Sequence, residues 1–302
     1  MDKIEKLLAK FYKRKIATDT NCTFAKLTTF GCGGKIRVVV YPTSVRQLTY
    51  VAKYLLKNKI EHCFLGHGSN VLASDKLYDG VVVVTRQVKD IVFNGQYVVA
   101  ACGVSTSKLC AELVRAGLSG GEFFGCLPAT VGGATVCNAG CFRQSIQQVV
   151  VGVTALYKGK KRYLTGSQCK FEYRNSIFKN NSDYLVLQVH MRFTTAQPKQ
   201  IQATLTDMRN KKALTQPLGA RSAGCVLYSD KGVVSKLVDQ AGLKGFKIGG
   251  AQVSQKHAGF VINLDKATSK DIYLLIEYVK NEITEKFGIT PQTELCLINF
   301  EQ

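Results

Sequence analysis

The sequence predicts a two-domain α+β protein, and three observations carry that prediction. Strand-like and helix-like stretches alternate through the first hundred residues or so, the arrangement that lays helices over sheets. Glycine then accumulates from Gly117 to Phe142, in "GLSGGEFFGCLPATVGGATVCNAGCF", after which strands resume. Finally, a polar, proline-containing stretch, "TTAQPKQ" (194–200), separates two patterned regions. Its position sets the expected domains at 1–195 and 196–302. A chain of 302 residues is long enough to bury two cores.

The elements follow from local patterns. "MDKIEKLLAKFYKRK" spaces Ile4, Leu7, Leu8 and Phe11 as one face of an amphipathic helix and has no apolar signal-peptide centre. "KIRVVVY" (35–41) reads as a strand, and "TSVRQLTYVAKYLLKNK" as a helix capped by Thr43 or Ser44. "HCFLG" (62–66) is a short buried strand running into a loop. The β-branched runs "GVVVVT" (80–85) and "YVVAACG" (97–103) are strands, followed by a helix capped near Ser105 or Thr106 that ends at Gly117. Further strands are expected at 149–157, 161–165 and 184–193. Beyond the boundary come helices near 199–213, 232–241 and 269–286, a strand at 259–264 and a strand-like run "ELCLINF" at 294–300.

Composition narrows the class. Apolar residues make up 46% of the chain, and no apolar run approaches the roughly 18 to 20 residues that span a bilayer. The eleven cysteines are scattered through apolar stretches with no C-x-x-C. The four histidines do not join them at zinc-like spacing. Cys137 and Cys141 form a lone C-x-x-x-C that reads as two buried small residues. Cysteine used as a small hydrophobe points to a reducing cytoplasm. Forty-one basic residues against twenty-one acidic leave a formal charge of +20, which attracts anions. No aromatic–basic interleaving of the kind that stacks single-stranded bases accompanies it.

Several stretches could carry chemistry. "LGHGSNVLAS" (65–74) follows a strand and lets successive N–H groups surround a pyrophosphate, with Ser69 and Asn70 adding side-chain bonds. The competing reading is a tight turn, since the third glycine and the helix of the dinucleotide fingerprint are absent. "LPATVGGATVCNAG" (127–140) is either a crossing point of packed elements or a backbone surface for a flat cofactor. Two such loops beside "ACGVST" (101–106) favour a nucleotide-type cofactor. "FEYRNSIFKN" holds Tyr173 and Arg174 between Phe171 and Phe178, where a planar guanidinium suits an acidic substrate. A surface ion pair is its plainer use. "RSAGCVLYSD" presents Cys225 after two small residues, and Glu294 opens a strand-like run.

Taken in order, "LTTFGCGG", "LGHGSNVL", "GCLPATVGGATVCNAG", "YRNSIF", "SAGCV", "AGLKGFKIGGAQVSQKHAGFVIN" and "FGITPQTEL" resemble the UDP-N-acetylenolpyruvoylglucosamine reductase family. The match runs from about Leu27 to Leu295, and the modest length is similar to the shorter form of the family. The resemblance implies a two-lobed FAD-binding domain of the vanillyl-alcohol-oxidase type, with lobes at about 1–75 and 76–195, plus a smaller α+β substrate-binding domain. It implies FAD held by Gly66, Gly68, Ser69, Asn70, Gly103, Pro128, Ala129, Thr130, Gly132 and Gly133, NADPH as hydride donor, and a UDP-sugar held in part by Tyr173 and Lys244. Arg174 and Glu294 would stabilise an enolate-like intermediate, and Cys225 would be the proton donor. The expected enzyme is a cytoplasmic monomer of peptidoglycan precursor synthesis, with no nucleic-acid or membrane partner and no metal. The alternatives are another FAD-dependent oxidoreductase on the same fold and a basic nucleotide- or nucleic-acid-binding protein.

Two stretches depart from the family pattern. Val226-Leu227-Tyr228-Ser229-Asp230 stands where Phe-Lys-Asn-Pro is usual, and Pro291-Gln292-Thr293 where Leu-Glu-x is usual. A proton donor must stay protonated, and a cationic neighbour lowers a thiol's pKa. The expectation is therefore that Arg174 engages the substrate carboxylate and that Cys225 sits among apolar groups.

Overall fold

The computed structural model describes residues 2–179 and 181–300. The chain forms two compact units. The first takes the amino-terminal segment up to Thr20, Val38–His67 and Gly80–Lys211; the second takes Asn21–Arg37, Gly68–Asp79 and everything from Lys212 onward.

In the first unit the helix Lys3–Tyr12 starts from a capping box between Asp2 and Glu5 and buries Leu7 and Phe11. The helix Val45–Lys57 is capped by Ser44, whose side chain accepts from Gln47 N, and buries Leu48, Val51, Ala52 and Leu55. That spacing is the apolar stripe read in the sequence. Ala17–Asp19 pairs antiparallel with the end of Lys35–Tyr41, and His62–Leu65 lies parallel to Tyr78–Val84. A separate antiparallel sheet has the order Lys160–Thr165, Val150–Tyr157, Tyr184–Arg192, Tyr97–Ala101, Ile91–Asn94. The helix Thr106–Arg115 is capped by Ser105, and Gly117 beyond it takes φ +65°, the left-handed stop glycine allows.

The second unit is built on an antiparallel sheet ordered Arg221–Cys225, Phe260–Asn263, Ala251–Val253, Lys247–Ile248. The helix Ser269–Phe287 carries a Thr268–Asp271 capping box and buries Ile272, Leu275, Ile276, Val279 and Ile283. The carboxyl-terminal run divides into Gln292–Thr293 and Cys296–Ile298. The latter lies parallel to Val71–Ala73, so a strand follows the "LGHGSN" loop.

The two compact units interleave along the sequence, for reasons of packing. Leu205 of the helix Pro198–Thr215 belongs to the core of the first unit, where a Cβ on Gly125 would stand 2.5 Å from its Cδ1. Phe30, Cys32 and Leu72 instead belong to the core of the second, with Val261 and Leu275. Asn263 ties the early segment in. Its Nδ2 donates to Phe30 O at 2.8 Å and its Oδ1 accepts from Ala267 N at 2.8 Å. Both bonds are buried, so Asn263→Ala leaves a carbonyl and an N–H without partners, at about 1–3 kcal/mol. The expected result is a lower urea midpoint with an unchanged slope. A midpoint equal to wild type would show that the bonds contribute nothing net.

Candidate functional site

Three segments meet inside the first unit. Val131 N donates to Val104 O and Gly132 N to Cys102 O, each at 2.8 Å, and Thr106 N donates to Ala129 O at 3.0 Å. A Cβ on Gly66 would collide with Thr130 Oγ1, one on Gly132 would stand 2.7 Å from Cys102 Cβ, and one on Gly103 would fall on the Thr85 carbonyl oxygen. These glycines let segments of the protein itself approach one another closely. Thr130 caps the helix Val131–Val136, its hydroxyl accepting from Gly133 N at 3.2 Å. Gly133 is the more open position, since a Cβ there would meet Thr130 Oγ1 alone, at 3.2 Å. Pro128 is exposed and Ala129 half-buried.

His67, between Gly66 and Gly68, is the residue that sequence reasoning passed over. Its Nδ1 is buried with no hydrogen-bond partner. Burial pushes the imidazole below its ordinary pKa. The Ala129 backbone works the other way, and the Arg86 guanidinium adds to the lowering. A buried nitrogen without a partner is costly unless a ligand satisfies it. Beside a glycine-lined pair of loops, that atom suits a hydroxyl of the group expected there, a dinucleotide. The signal was present in the sequence as a histidine inside the G-x-G turn.

The rest of that loop is committed within the second unit. Gly68 takes φ +65°, with Thr29 N donating to its carbonyl at 3.1 Å. Asn70 Nδ2 donates to Glu294 O at 3.1 Å, and Cys296 N donates to Asn70 O at 2.9 Å. Asn70 therefore anchors the backbone of Glu294, a role the sequence did not indicate. Ser69 is half-buried.

Arg174 belongs to the first unit, in a turn closed by Glu172 N to Asn175 O at 3.1 Å and Asn175 N to Glu172 O at 3.2 Å. It takes φ +55°, its Nη2 donates to Gly140 O at 3.0 Å, and its guanidinium lies 5.2 Å from the centre of the Tyr173 ring. Phe178 is buried and Phe171 half-buried, and both pack on the core as expected. Asn138 Nδ2 donates to Glu172 O at 2.7 Å and Ser176 Oγ to Val136 O at 2.7 Å, fixing the turn to the end of the glycine-rich helix.

Cys225 and Glu294 both belong to the second unit, on adjoining segments. Glu294 N donates to Val226 O at 2.8 Å, and Leu227–Tyr228 pairs antiparallel with Gln292–Thr293. The two small residues before Cys225 have a structural purpose. The register slips between Ser222 and Cys225, with Gly224 at φ +79°, a bulge that re-aims the next side chain. Cys225 does not sit among apolar groups alone. Its Sγ, the Ser235 Cβ and the His257 Cε1 would lie 3.0, 3.1 and 3.2 Å from a Cβ placed on Gly259. Lys244 Nζ pairs with Asp239 Oδ2 at 2.8 Å.

Burial also pushes the thiols of Cys32 and Cys102 up to about 12 and those of Cys110 and Cys169 up to about 11, which leaves them inert at neutral pH. None of the eleven cysteines forms a disulfide, and no metal-binding cluster occurs among the described residues. Burial likewise lowers His67, His190 and His257. Below about pH 6.5 the unfolded chain therefore binds more protons than the folded one. This contribution to stability is complete above that pH and is lost as pH falls through it. The urea midpoint is expected to be lower at pH 5.5 than at pH 7.5; equal midpoints would contradict the lowered pKa of these half-buried histidines.

Comparison with known proteins places these features in a wider set. A family described as UDP-N-acetylenolpyruvoylglucosamine reductase, C-terminal domain, matches residues 216–298, and an FAD binding domain family matches residues 36–160. The chain is 33% identical over 277 residues to UDP-N-acetylenolpyruvoylglucosamine reductase of Alkaliphilus oremlandii, spanning 91% of each. It is 37% identical over 269 residues to the reductase of Thermosipho melanesiensis, spanning 88% of this chain and 90% of that one. The crystal structure of the reductase from Thermus caldophilus superposes with a TM-score of 0.78 at 24% identity, covering 94% of this chain and 98% of that one. This last likeness speaks for the fold.

Proposed function

The chain belongs to the UDP-N-acetylenolpyruvoylglucosamine reductase family, and from that premise we propose that it reduces the enolpyruvyl group of UDP-N-acetylenolpyruvoylglucosamine to give UDP-N-acetylmuramate, a peptidoglycan precursor. The geometric observation that carries the reading is the seating of Cys225 and Glu294 on adjoining segments, held by Glu294 N to Val226 O at 2.8 Å. When bound, FAD supplies the hydride chemistry, from NADPH to the β-carbon of the enolpyruvyl group.

The segments that would hold FAD are the loop of Gly66, Gly68, Ser69 and Asn70, the loop of Pro128, Ala129, Thr130, Gly132 and Gly133, and Gly103 beside the second, with Gly66, Gly103 and Gly132 shaping them by close packing on the protein's own atoms. His67 adds the buried nitrogen described above. Tyr173 and Lys244 would contact the UDP-sugar. A hydride added at the β-carbon leaves negative charge on the α-carbon and its carboxylate, which needs a cation or hydrogen-bond donors placed in advance. Arg174 takes that role, binding the carboxylate through its planar fork, with Glu294 completing the stabilisation. Cys225 gives its thiol proton to the α-carbon, closing the C–H bond, and regains a proton afterwards.

The same reading makes the enzyme a cytoplasmic monomer with no nucleic-acid or membrane partner. No described helix is long and apolar enough to cross a membrane. The basic surplus suits three anionic ligands.

Purified protein is expected to be yellow, with flavin absorption, and to consume NADPH only when the enolpyruvyl substrate is present. A flavin that NADPH reduces but this substrate does not reoxidise would point to a different acceptor. Colourless protein that cannot be loaded with FAD would end the reading.

A further inference from the structure

Cys225 faces a problem that its neighbours bear on. A cysteine beside a protonated histidine loses its proton and becomes a nucleophile, because an opposite charge within about 4–6 Å favours the thiolate. A thiolate has no proton to deliver to carbon. The structure nevertheless sets a histidine near this thiol, with Cys225 Sγ and His257 Cε1 lying 3.0 and 3.2 Å from one point, the place a Cβ on Gly259 would occupy.

The protonation state of that histidine is fixed by its own loop. Gly259 N donates to His257 Nδ1 at 3.1 Å. A backbone N–H can only donate, so Nδ1 carries a lone pair and the ring proton is on Nε2. Forming the imidazolium requires a proton on Nδ1 and therefore the loss of this bond. The turn enforcing the arrangement is tightly wound. Lys256 N and His257 N donate to Ser254 Oγ at 3.2 and 3.4 Å, and Phe260 N donates to His257 O at 3.0 Å. The Phe260 ring meets the imidazole edge-on at 5.0 Å. Burial opposes a positive charge on the ring; the residue's own backbone works the other way, and the Lys244 ammonium adds to the lowering, so the imidazole is held below its ordinary pKa. Lys244 is itself paired with Asp239.

We propose that His257 is a positioning residue for Cys225: locked as the neutral, Nε2-protonated tautomer by the Gly259 amide, it stands near the thiol without a positive charge and so keeps Cys225 a proton donor rather than a nucleophile. The inference rests on the reading of Cys225 as general acid, but its tests do not require turnover. The sequence hides the arrangement, because His257 lies thirty-two positions from Cys225 and an ordinary hairpin turn explains its loop.

The first test is nitrogen-15 NMR of the holoprotein labelled at histidine. There are four histidines, and the His257 signals are those that vanish in His257→Asn. The expected pattern is Nε2-protonated and neutral down to pH 6. A cationic ring at pH 7, or a proton on Nδ1, overturns the inference. The second test is the rate at which iodoacetamide labels Cys225 at pH 7, read by peptide mass spectrometry. His257→Lys, which installs a cation, is expected to raise the rate about tenfold, the consequence of a shift of about one pKa unit. His257→Asn, which keeps a neutral acceptor for Gly259 N, should stay within about twofold of wild type. Equal rates in all three proteins overturn the inference, as does labelling of the wild type at the rate of an ionised thiol. Normal turnover by Cys225→Ala is a different failure: it removes the general-acid role while leaving the tautomer result untouched.

Discussion

Cys225→Ala is expected to separate the two halves of the reaction. NADPH should still bleach the flavin at the wild-type rate, because that half needs no proton delivered to the sugar. Reoxidation by the enolpyruvyl substrate should slow by roughly 10²–10⁴, the usual contribution of a positioned general acid. Cys225→Ser should recover part of the loss, since a hydroxyl can occupy the same bulge and donate, though its proton is less acidic. The bulge at Gly224 fixes where either side chain points. Stopped-flow absorbance at the flavin band reads both halves in one experiment. Normal reoxidation in Cys225→Ala would show that the proton comes from elsewhere. Slowing of both halves would indicate a disturbed cofactor site instead.

Gly103→Ala is the substitution expected to damage the fold most. Gly103 N donates to Val88 O at 3.0 Å, and an added Cβ would overlap the Thr85 carbonyl oxygen and stand 2.6 Å from Val88 O. Both are backbone atoms, which cannot rotate aside as a side-chain tip can. The strand and the short turn at Thr85–Gln87 must separate, at a cost of about 3 kcal/mol or more. Because Gly103 lies between Cys102 and Val104, which bond the loop carrying Gly132, the variant should also lose FAD. Thermal unfolding should begin several degrees below wild type, with a reduced flavin-to-protein ratio. Gly232→Ala is the control, since its nearest atom would be Ile289 Cδ1 at 3.9 Å. If Gly103→Ala unfolds with the control, the close approach is not a constraint.

Much of this was readable from the chain. The helices Lys3–Tyr12, Val45–Lys57 and Ser269–Phe287 were legible because apolar spacing and N-caps are properties of neighbours in sequence. The order of seven motifs is enough to name the family. The glycine loops were legible as places of close approach, but not for what approaches: Gly66, Gly103 and Gly132 face the protein's own atoms.

The sequence by itself determined the local elements and the residue types available for chemistry, since periodicity, capping and side-chain reactivity are short-range. Only the tertiary structure decided which distant residues share an environment. It sent residues 21–37 and 68–79 to the second unit through Phe30, Leu72 and the Asn263 bonds. It set Asn70 on the Glu294 carbonyl and brought His257 and Cys225 together around Gly259. Such pairings depend on which apolar faces bury against each other and which backbone polar groups then need partners, and neither is a property of any local stretch.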